Sequence, residues 1–508
     1  MLNSPKSKTL LLIALLMLLA IAARVIPGTR TIDDAFITFR YSRNIVEGVG
    51  FVYNPGVHTL GTTTPLFTLI MAAFGAVGGD NYPWYALTVS ALADAITVAL
   101  LFLIARKVTG SDLLAIFPAA VWAVAPMSVT FAIGGMETSV NILWGIAATY
   151  LYVVSTHKWR DIGIGVCAAL GLLTRVDAAL WIAPLLAVQL GETWIKQRRL
   201  PLRTWIAAAL VLLPWVIFSL AYFGTPIPNS VTAKRFAYLI APNAALAQLI
   251  QTYSNVFSTF DLFGSVGVMI AALLILTCTL FAVSYSVRKE ARLLPYLLYV
   301  WIYFGVFAAL NPLIFRWYNA PPLPALILGV FVGLWALLRP LKRIAPFVIA
   351  GIGTLCVITT LSGWTLTPDH GLNRPAPKMA WHAIELLYQQ MGEHLRDDLG
   401  VTAQTRVASG DIGAIGYFSR ATIVDTVGLV TPELTRYYPV DPALIVTGMN
   451  YAIPPALIYD TQPDYLVTME GFVRQGLAVE PQFEQDYALV TEYPTDFYGT
   501  GMQLYARR

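Results

Sequence analysis

The sequence predicts a mainly α-helical, polytopic membrane bundle of about eleven spans, carrying a C-terminal α/β domain outside the membrane. Three observations carry that prediction. Hydrophobic residues make up 57% of the 508 and charged residues only 12%, about half of the ~25% charge of a soluble domain. Apolar residues recur in runs of about twenty, the length that crosses a bilayer. The charge is also divided: residues 1–363 hold 24 Lys+Arg against 12 Asp+Glu, and residues 364–508 hold 9 against 17. The net charge of +4 therefore averages a basic membrane module, 1–363, and an acidic extracytoplasmic domain, 364–508. A chain of several soluble domains is excluded.

The spans read as 9–27, 83–105, 113–133, 138–156, 162–174, 178–195, 204–223, 263–287, 293–311, 319–338 and 344–363. Segment 162–174 is short for an upright crossing, which takes ~20 apolar residues. Pro65–Val77 is shorter than a span and reads as a re-entrant or interfacial helix. Basic residues cluster in alternate short connections: Lys6 and Lys8, Arg106 and Lys107, Lys158 and Arg160, Lys196 to Arg203, Arg288 to Arg292, and Arg339 to Arg343. Short loops of this kind obey the positive-inside rule. The expectation is a multi-pass protein of the plasma (inner) membrane with a cytoplasmic N-terminus, and an odd span count then puts 364–508 outside. The first apolar run ends at Arg24-Val25-Ile26-Pro27 without a small-residue cleavage site, so it reads as a retained anchor. Cys167, Cys278 and Cys356 all fall within spans, which leaves no disulfide framework.

Three segments on the expected outer side are longer than turns: 28–82, 224–262 and the C-terminal domain. The first contains Asp33-Asp34-Ala-Phe-Ile-Thr-Phe-Arg-Tyr, then Phe51-Val-Tyr-Asn-Pro-Gly and Gly61-Thr-Thr-Thr-Pro-Leu. From Asp33 to Val46 the pattern is helical and amphipathic, with Phe36 and Phe39 on one side. Asp33 and Arg40 stand seven residues apart and so share a face. An interfacial helix that starts with two carboxylates and carries Arg40 and Arg43 suits a lipid phosphate. The alternative is a surface helix with an Asp cap and snorkelling arginines.

At these residues the chain resembles the first outer loop of GT-C superfamily glycosyltransferases, and in particular the group containing the terminal β-(1→2)-arabinofuranosyltransferase of mycobacterial cell walls. Further pieces of the likeness follow in order: Gly134-Gly-Met-Glu-Thr-Ser, Leu173-Thr-Arg-Val-Asp, Gly224-Thr-Pro-Ile-Pro-Asn-Ser-Val-Thr-Ala-Lys-Arg, Arg316-Trp-Tyr and Ser409-Gly-Asp-Ile-Gly-Ala-Ile-Gly-Tyr. The resemblance implies a polyprenyl-phosphate sugar donor, arabinofuranose or another pentose or hexose, and a glycan or lipid acceptor outside the cytoplasm. It further implies an acidic residue of the first outer loop as catalytic base. Asp33 is the first choice, with Asp34 orienting it or holding a divalent cation. Transfer of this kind needs a base for the acceptor hydroxyl and positive charge on the departing phosphate. Two departures from the family pattern stand out. Thr-Arg-Val-Asp replaces Thr-Arg-Pro-Glu at Asp177, and His58 stands where relatives often carry glutamate.

The remaining candidates for substrate contacts are charges that topology leaves unexplained. Lys234 and Arg235 lie in the second long loop, on the side where the positive-inside rule disfavours them, which points to an anionic partner such as the donor phosphate. Arg316 adjoins the interfacial aromatics Trp317 and Tyr318. Glu137 stands at a span entrance as a cap or a substrate contact. Arg175 and Asp177 share a tight hairpin where mutual pairing is the simplest role. Asp94 lies mid-span and needs a partner. His157, His370, His382 and His394 lack ligand-like spacing. In the C-terminal domain, Lys378–Leu399 reads as a helix, 406–409 as a strand, Asp411–Phe418 as a helix, and 421–424, 464–469 and the tail from Tyr487 as β. The acidic domain offers nothing to nucleic acid. A transporter or flippase of lipid-linked sugars is the alternative reading, and a protein acceptor a third. Against transport, the polar residues gather at span ends, with no repeated half.

Overall fold

The computed structural model describes residues 5–257, 264–312, 315–368, 373–379 and 381–508, and there each of the eleven expected apolar segments is helical. His370 lies outside the described residues. Among the described residues, seven helices are long and apolar enough to cross a membrane: Ser7–Val25, Tyr82–Thr109, Val176–Gln197, Leu202–Phe223, Gly264–Lys289, Ala291–Leu310 and Arg316–Leu341. Asp112–Val124 and Pro126–Ile133, bent by 45°, make an eighth if taken as one span. Pro126 explains the bend. It has no N–H to continue the helix, and it holds Ala125 out of the helical region, at ψ 128°. The other three expected spans are the helices Thr138–Val153, Arg160–Thr174 and Ala345–Leu361, of 16, 15 and 17 residues. Each falls short of the ~20 residues of an upright crossing.

The chain divides into two compact units. One comprises Met1–Arg30, Pro83–Trp215 and Asn243–Met379; the other comprises Thr31–Tyr82, Val216–Pro242 and Ala380–Arg508. The second unit therefore gathers three stretches that are far apart in sequence.

In the second unit a five-stranded sheet is built from β3 (Arg406–Ser409), β4 (Thr422–Asp425), β5 (Tyr465–Met469), β6 (Tyr487–Pro494) and β7 (Gly501–Arg507), numbered after the β1 and β2 of the other unit. The spatial order is β4-β3-β5-β7-β6. β3 runs parallel to β4 and β5, and β7 pairs antiparallel with β5 and β6. The short helix Gly413–Ser419 crosses between β3 and β4. It packs against helix His382–Asp397 on one hand and helix Asp33–Val46 on the other. Helix Pro65–Gly78 also lies on Asp33–Val46. Every strand expected from the sequence is present, within a residue or two of its predicted ends.

In the first unit, β1 (Trp364–Thr367) and β2 (Arg374–Pro377) pair antiparallel. The Trp364 indole N–H donates to the Val124 carbonyl at 2.9 Å, tying the strand pair to the broken span. Small residues let the helices approach closely. A Cβ on Gly333 would lie 1.7 Å from the Cys278 carbonyl oxygen, so helices Leu323–Leu338 and Gly264–Lys289 meet at their backbones.

Asp94 finds its partner here. Its Oδ2 accepts from Arg24 Nε at 3.0 Å and from Ser139 Oγ at 2.8 Å, and both charged side chains are fully buried. The Arg24 guanidinium also donates to the carbonyls of Ala20 and Ala123 and to Ser128 Oγ. One arginine thus binds four segments of the unit together. Removing one member of such a pair strands a buried charge, a loss of about 3–5 kcal/mol. Asp94→Ala and Arg24→Ala should each lower the thermal unfolding temperature in detergent by several degrees. The double variant Arg24→Met/Asp94→Leu should recover much of the loss. Single variants as stable as the parent would refute the role of the pair.

Candidate active site

Helix Asp33–Val46 has Ile32 at its cap position and no side-chain cap of its own. The carboxylate of Asp33 serves a different helix. Its Oδ2 accepts from the Gly413 N–H at 3.0 Å and its Oδ1 from the Ala414 N–H at 2.6 Å. These are among the N–H groups that the first turn of a helix leaves without partners. A side chain on Gly413 is excluded, because a Cβ there would sit 1.9 Å from the Asp33 carbonyl oxygen. Two turns along the same face, Arg40 holds the other end. Its Nη1 donates to the Gly416 carbonyl and its Nη2 to the Ala421 carbonyl, each at 2.6 Å. A carboxylate at the N-terminus and a guanidinium at the C-terminal carbonyls complement the dipole of helix Gly413–Ser419 from outside. Asp33 and Arg40 do share a face, and what that face meets is backbone.

The loop motifs secure the same contact. Arg40 Nε donates to the Tyr53 carbonyl at 2.9 Å, and its guanidinium lies 4.2 Å from the Tyr53 ring centroid. Asn54 pairs with β4, donating to the Ile423 carbonyl at 2.8 Å and accepting from its N–H at 3.0 Å. Asn229 donates to the carbonyls of Gly428 and Leu429 at 2.6 and 3.1 Å, and its own N–H donates to the Leu60 carbonyl. Arg43 donates to the Tyr417 carbonyl at 3.0 Å and stacks on that ring. Arg40 and Arg43 are 2% and 6% exposed, and the contacts described for both are to this packed backbone and its rings.

Asp34 is placed differently. Its side chain keeps 28% exposure and its Oδ2 meets Lys234 Nζ at 3.2 Å. Lys234 comes from helix Ser230–Ala237 of the second long loop. Around this pair stand three more carboxylates. Asp411 accepts from the Tyr388 hydroxyl at 2.7 Å, and Glu385 accepts from the backbone N–H of Asp33. Burial raises the Asp33 carboxyl above the usual carboxylate range; the charges of Asp411 and then Asp34 add to that, against the pull of its two backbone hydrogen bonds. Glu385 is raised by burial first and by Asp33 next. Asp411 is raised by burial, offset by the Tyr388 hydrogen bond and by Lys234. Four carboxyl groups facing one ammonium group favour retention of protons on the buried members. Asp34 and Asp411 each keep one oxygen without a hydrogen bond among the described residues, and they are the donors available to a divalent cation. No three His, Cys, Asp or Glu side chains converge in a metal-holding group among the described residues.

Of the other expected site residues in this unit, His58 is exposed and stacks on Tyr222 at 4.2 Å between ring centroids, and Arg235 is exposed next to Lys234. The remainder belong to the first unit. There Arg175 is held between Glu137, at 2.7 Å, and both oxygens of Asp177, at 2.9 and 3.0 Å. The Tyr303 hydroxyl donates to Asp177 Oδ2 at 3.2 Å, and the Arg175 guanidinium lies 5.0 Å from the Tyr318 ring centroid. Arg316 stands exposed beside a stacked Phe315–Trp317 pair. Sequence reasoning missed Glu385 and Tyr388, which sit on an ordinary amphipathic helix. It passed over Asp411, although the Ser409-Gly-Asp-Ile-Gly motif contained it.

Residues 62–218 match the family model described as dolichyl-phosphate-mannose-protein mannosyltransferase. Residues 379–505 match a domain of unknown function, DUF8728. The terminal β-(1→2)-arabinofuranosyltransferase of Mycobacterium tuberculosis is 23% identical over 219 residues, which cover 40% of this chain and 34% of that protein. The chain thus spans about a third of the length of this curated relative. ArnT from Cupriavidus metallidurans, solved bound to undecaprenyl phosphate, has the same fold with a TM-score of 0.59 at 12% identity, over 99% of this chain and 98% of that one. The Archaeoglobus fulgidus oligosaccharyltransferase, solved with Zn and sulfate, gives a TM-score of 0.55 at 14% identity, over 98% and 73%. In sequence, residues 62–218 resemble the dolichyl-phosphate-mannose-protein mannosyltransferase model, and in fold almost the whole chain resembles ArnT and the archaeal oligosaccharyltransferase.

Proposed function

We propose that the protein transfers a sugar from a polyprenyl-phosphate donor to a hydroxyl of a glycan or lipid acceptor, with Asp34 as general base. The observation that carries this reading is the Asp34–Lys234 pair, a partly exposed carboxylate and ammonium 3.2 Å apart. In the reaction the acceptor oxygen bonds to the anomeric carbon while the bond from that carbon to the phosphate oxygen breaks. The acceptor proton goes to Asp34, and the negative charge left on the polyprenyl phosphate is received by Lys234. A donor phosphate competes with Asp34 for Lys234, so donor binding itself uncovers the base. Arg235 is a further cation for the same phosphate, and His58 a contact for donor or acceptor. A divalent cation on Asp34 and Asp411 would add charge stabilisation at the leaving phosphate. The fold likeness to ArnT, solved with undecaprenyl phosphate, supports the donor class, and the curated arabinofuranosyltransferase supports a pentose.

This reading moves the base from Asp33 to its neighbour. Both Asp33 oxygens are engaged by backbone N–H groups and the residue is 8% exposed, so neither oxygen is open to an acceptor hydroxyl. A protein hydroxyl as acceptor is the second reading, favoured by the mannosyltransferase family model over 62–218. Glycan and protein acceptors are separated by where labelled sugar is recovered.

Two outcomes are expected. Asp34→Asn should lower transfer from polyprenyl-phosphate sugars at least ~100-fold, the usual worth of a positioned base, with the unfolding temperature unchanged. Lys234→Gln should weaken donor binding as well as turnover. Full transfer by the Asp34→Asn protein would sink the assignment.

Asp33→Asn should act on stability. The raised Asp33 carboxyl favours the proton-bound fold, so its contribution is complete below the ordinary value of 3.8 and is lost as pH rises through the raised folded-state value. The parent should therefore lose unfolding temperature with rising pH above about 4, and Asp33→Asn should flatten that slope. Equal slopes in thermal unfolding from acid to neutral pH would refute it.

A further inference from the structure

A second site lies in the first unit, among the basic connections. Where helix Ala179–Gln197 ends and helix Gly264–Lys289 turns into Leu294–Leu310, the structure forms an open cavity of about 640 Å³, within the ~300–1,000 Å³ of small-molecule sites. Its lining carries four cations, Lys196, Arg288, Lys289 and Arg292, against two carboxylates, Glu192 and Glu290.

The charges are unequally committed. Glu192 accepts from Arg292 at 2.7 Å, from Lys196 at 3.0 Å and from the Tyr152 hydroxyl at 2.8 Å. That network uses two of the cations. Arg288 and Lys289 are exposed, and neither side chain has an ion-pair partner among the described residues. Their place in the last turn of a helix accounts for some attraction to its carbonyls, but not for an adjoining cavity of this size. Part of the wall is apolar and outward-facing: Ile195 is 75% exposed and Val287 59%. Exposed cations without ion-pair partners, lining one cavity with outward-facing apolar side chains in a helix bundle, match a molecule with an anionic head and a hydrocarbon tail.

We propose that this cavity binds the phosphate headgroup of an anionic phospholipid from the leaflet facing the basic connections, with Arg288 and Lys289 as the phosphate contacts. The site shares no residue with the carboxylate cluster and does not depend on the transfer reaction.

The test uses the purified full-length protein in detergent. Native mass spectrometry would follow titration with phosphatidylglycerol, phosphatidylcholine or inorganic phosphate. Phosphatidylglycerol should be retained at least ~10-fold better than phosphatidylcholine. R288Q/K289Q should abolish that preference without lowering the unfolding temperature, both residues being exposed. R198Q/R199Q, which removes two basic residues from the preceding connection outside the cavity lining, should leave it intact. Equal retention of the two lipids, an undiminished preference in R288Q/K289Q, or the same loss in R198Q/R199Q would overturn the site. Displacement of the lipid by equimolar inorganic phosphate would overturn the assignment to a lipid and make it a free-phosphate site.

Discussion

The contact between the Asp33 carboxylate and the first turn of helix Gly413–Ser419 is the constraint on which the candidate site depends. It joins residues 380 and 381 positions apart, and the absence of a side chain on Gly413 is what permits the approach. Once Asp33 is fixed there, the orientation of helix Asp33–Val46 about its axis is set. Arg40 then falls on the carbonyls at the far end of the short helix, and Phe36 packs against Tyr417 and Phe418. Asp411 sits two residues ahead of Gly413, so the same contact brings it to the carboxylate group. Loss of the glycine would shift all of these together.

The protein keeps two kinds of charge cluster, and burial separates them. In the first unit, Arg24 with Asp94, and Arg175 with Glu137 and Asp177, are closed sets in which hydrogen bonds from neighbouring segments take up most of the remaining donors and acceptors. Buried ions outside water persist on those terms. Around Asp34 the sum does not close. One ammonium group meets four carboxyl groups, and the two outermost carboxylates keep an unused oxygen each. An unbalanced, partly exposed set is costly as a structural device and serviceable for proton or phosphate chemistry.

How much of this was legible in the sequence follows from what each signal encodes. Apolar run length marked the eleven expected segments as helices, and β-type runs marked the five strands of the larger sheet, because both depend on local composition; helix Ala244–Ser254 and the pair Trp364–Thr367 and Arg374–Pro377 were not marked. Helix periodicity put Asp33 and Arg40 on one face correctly. It could not say that the face meets backbone carbonyls of residues 416 and 421 and not a phosphate, since a period names a side and not its partner. The span ends were less legible. Thr138–Val153 and Arg160–Thr174 carry apolar runs that stop short of a full crossing, and Pro126 divides another. The motifs at Phe51-Val-Tyr-Asn, Pro228-Asn229 and Ser409-Gly-Asp were recognisable as signatures, yet their work is to hold one another through Tyr53, Asn54 and Asn229. Glu385 and Tyr388 left no trace, because a glutamate and a tyrosine on an amphipathic helix have the same signature at a site or on a surface.

Two adjacent aspartates at the start of a helix invite the reading that one assists the other. Helix geometry argues for separation. Successive residues turn by about 100°, at 3.6 per turn, so the face that docks Asp33 onto Gly413 directs Asp34 away from it, toward helix Ser230–Ala237. Capping two backbone N–H groups takes both oxygens of one carboxylate, whereas a base needs an oxygen open to its substrate. A single aspartate could not meet both demands. On the proposed reading the Asp-Asp pair is the shortest sequence that supplies an anchor and a base from one helical turn. The anchor's own charge is suppressed by burial, and it is suppressed further by the base one residue away.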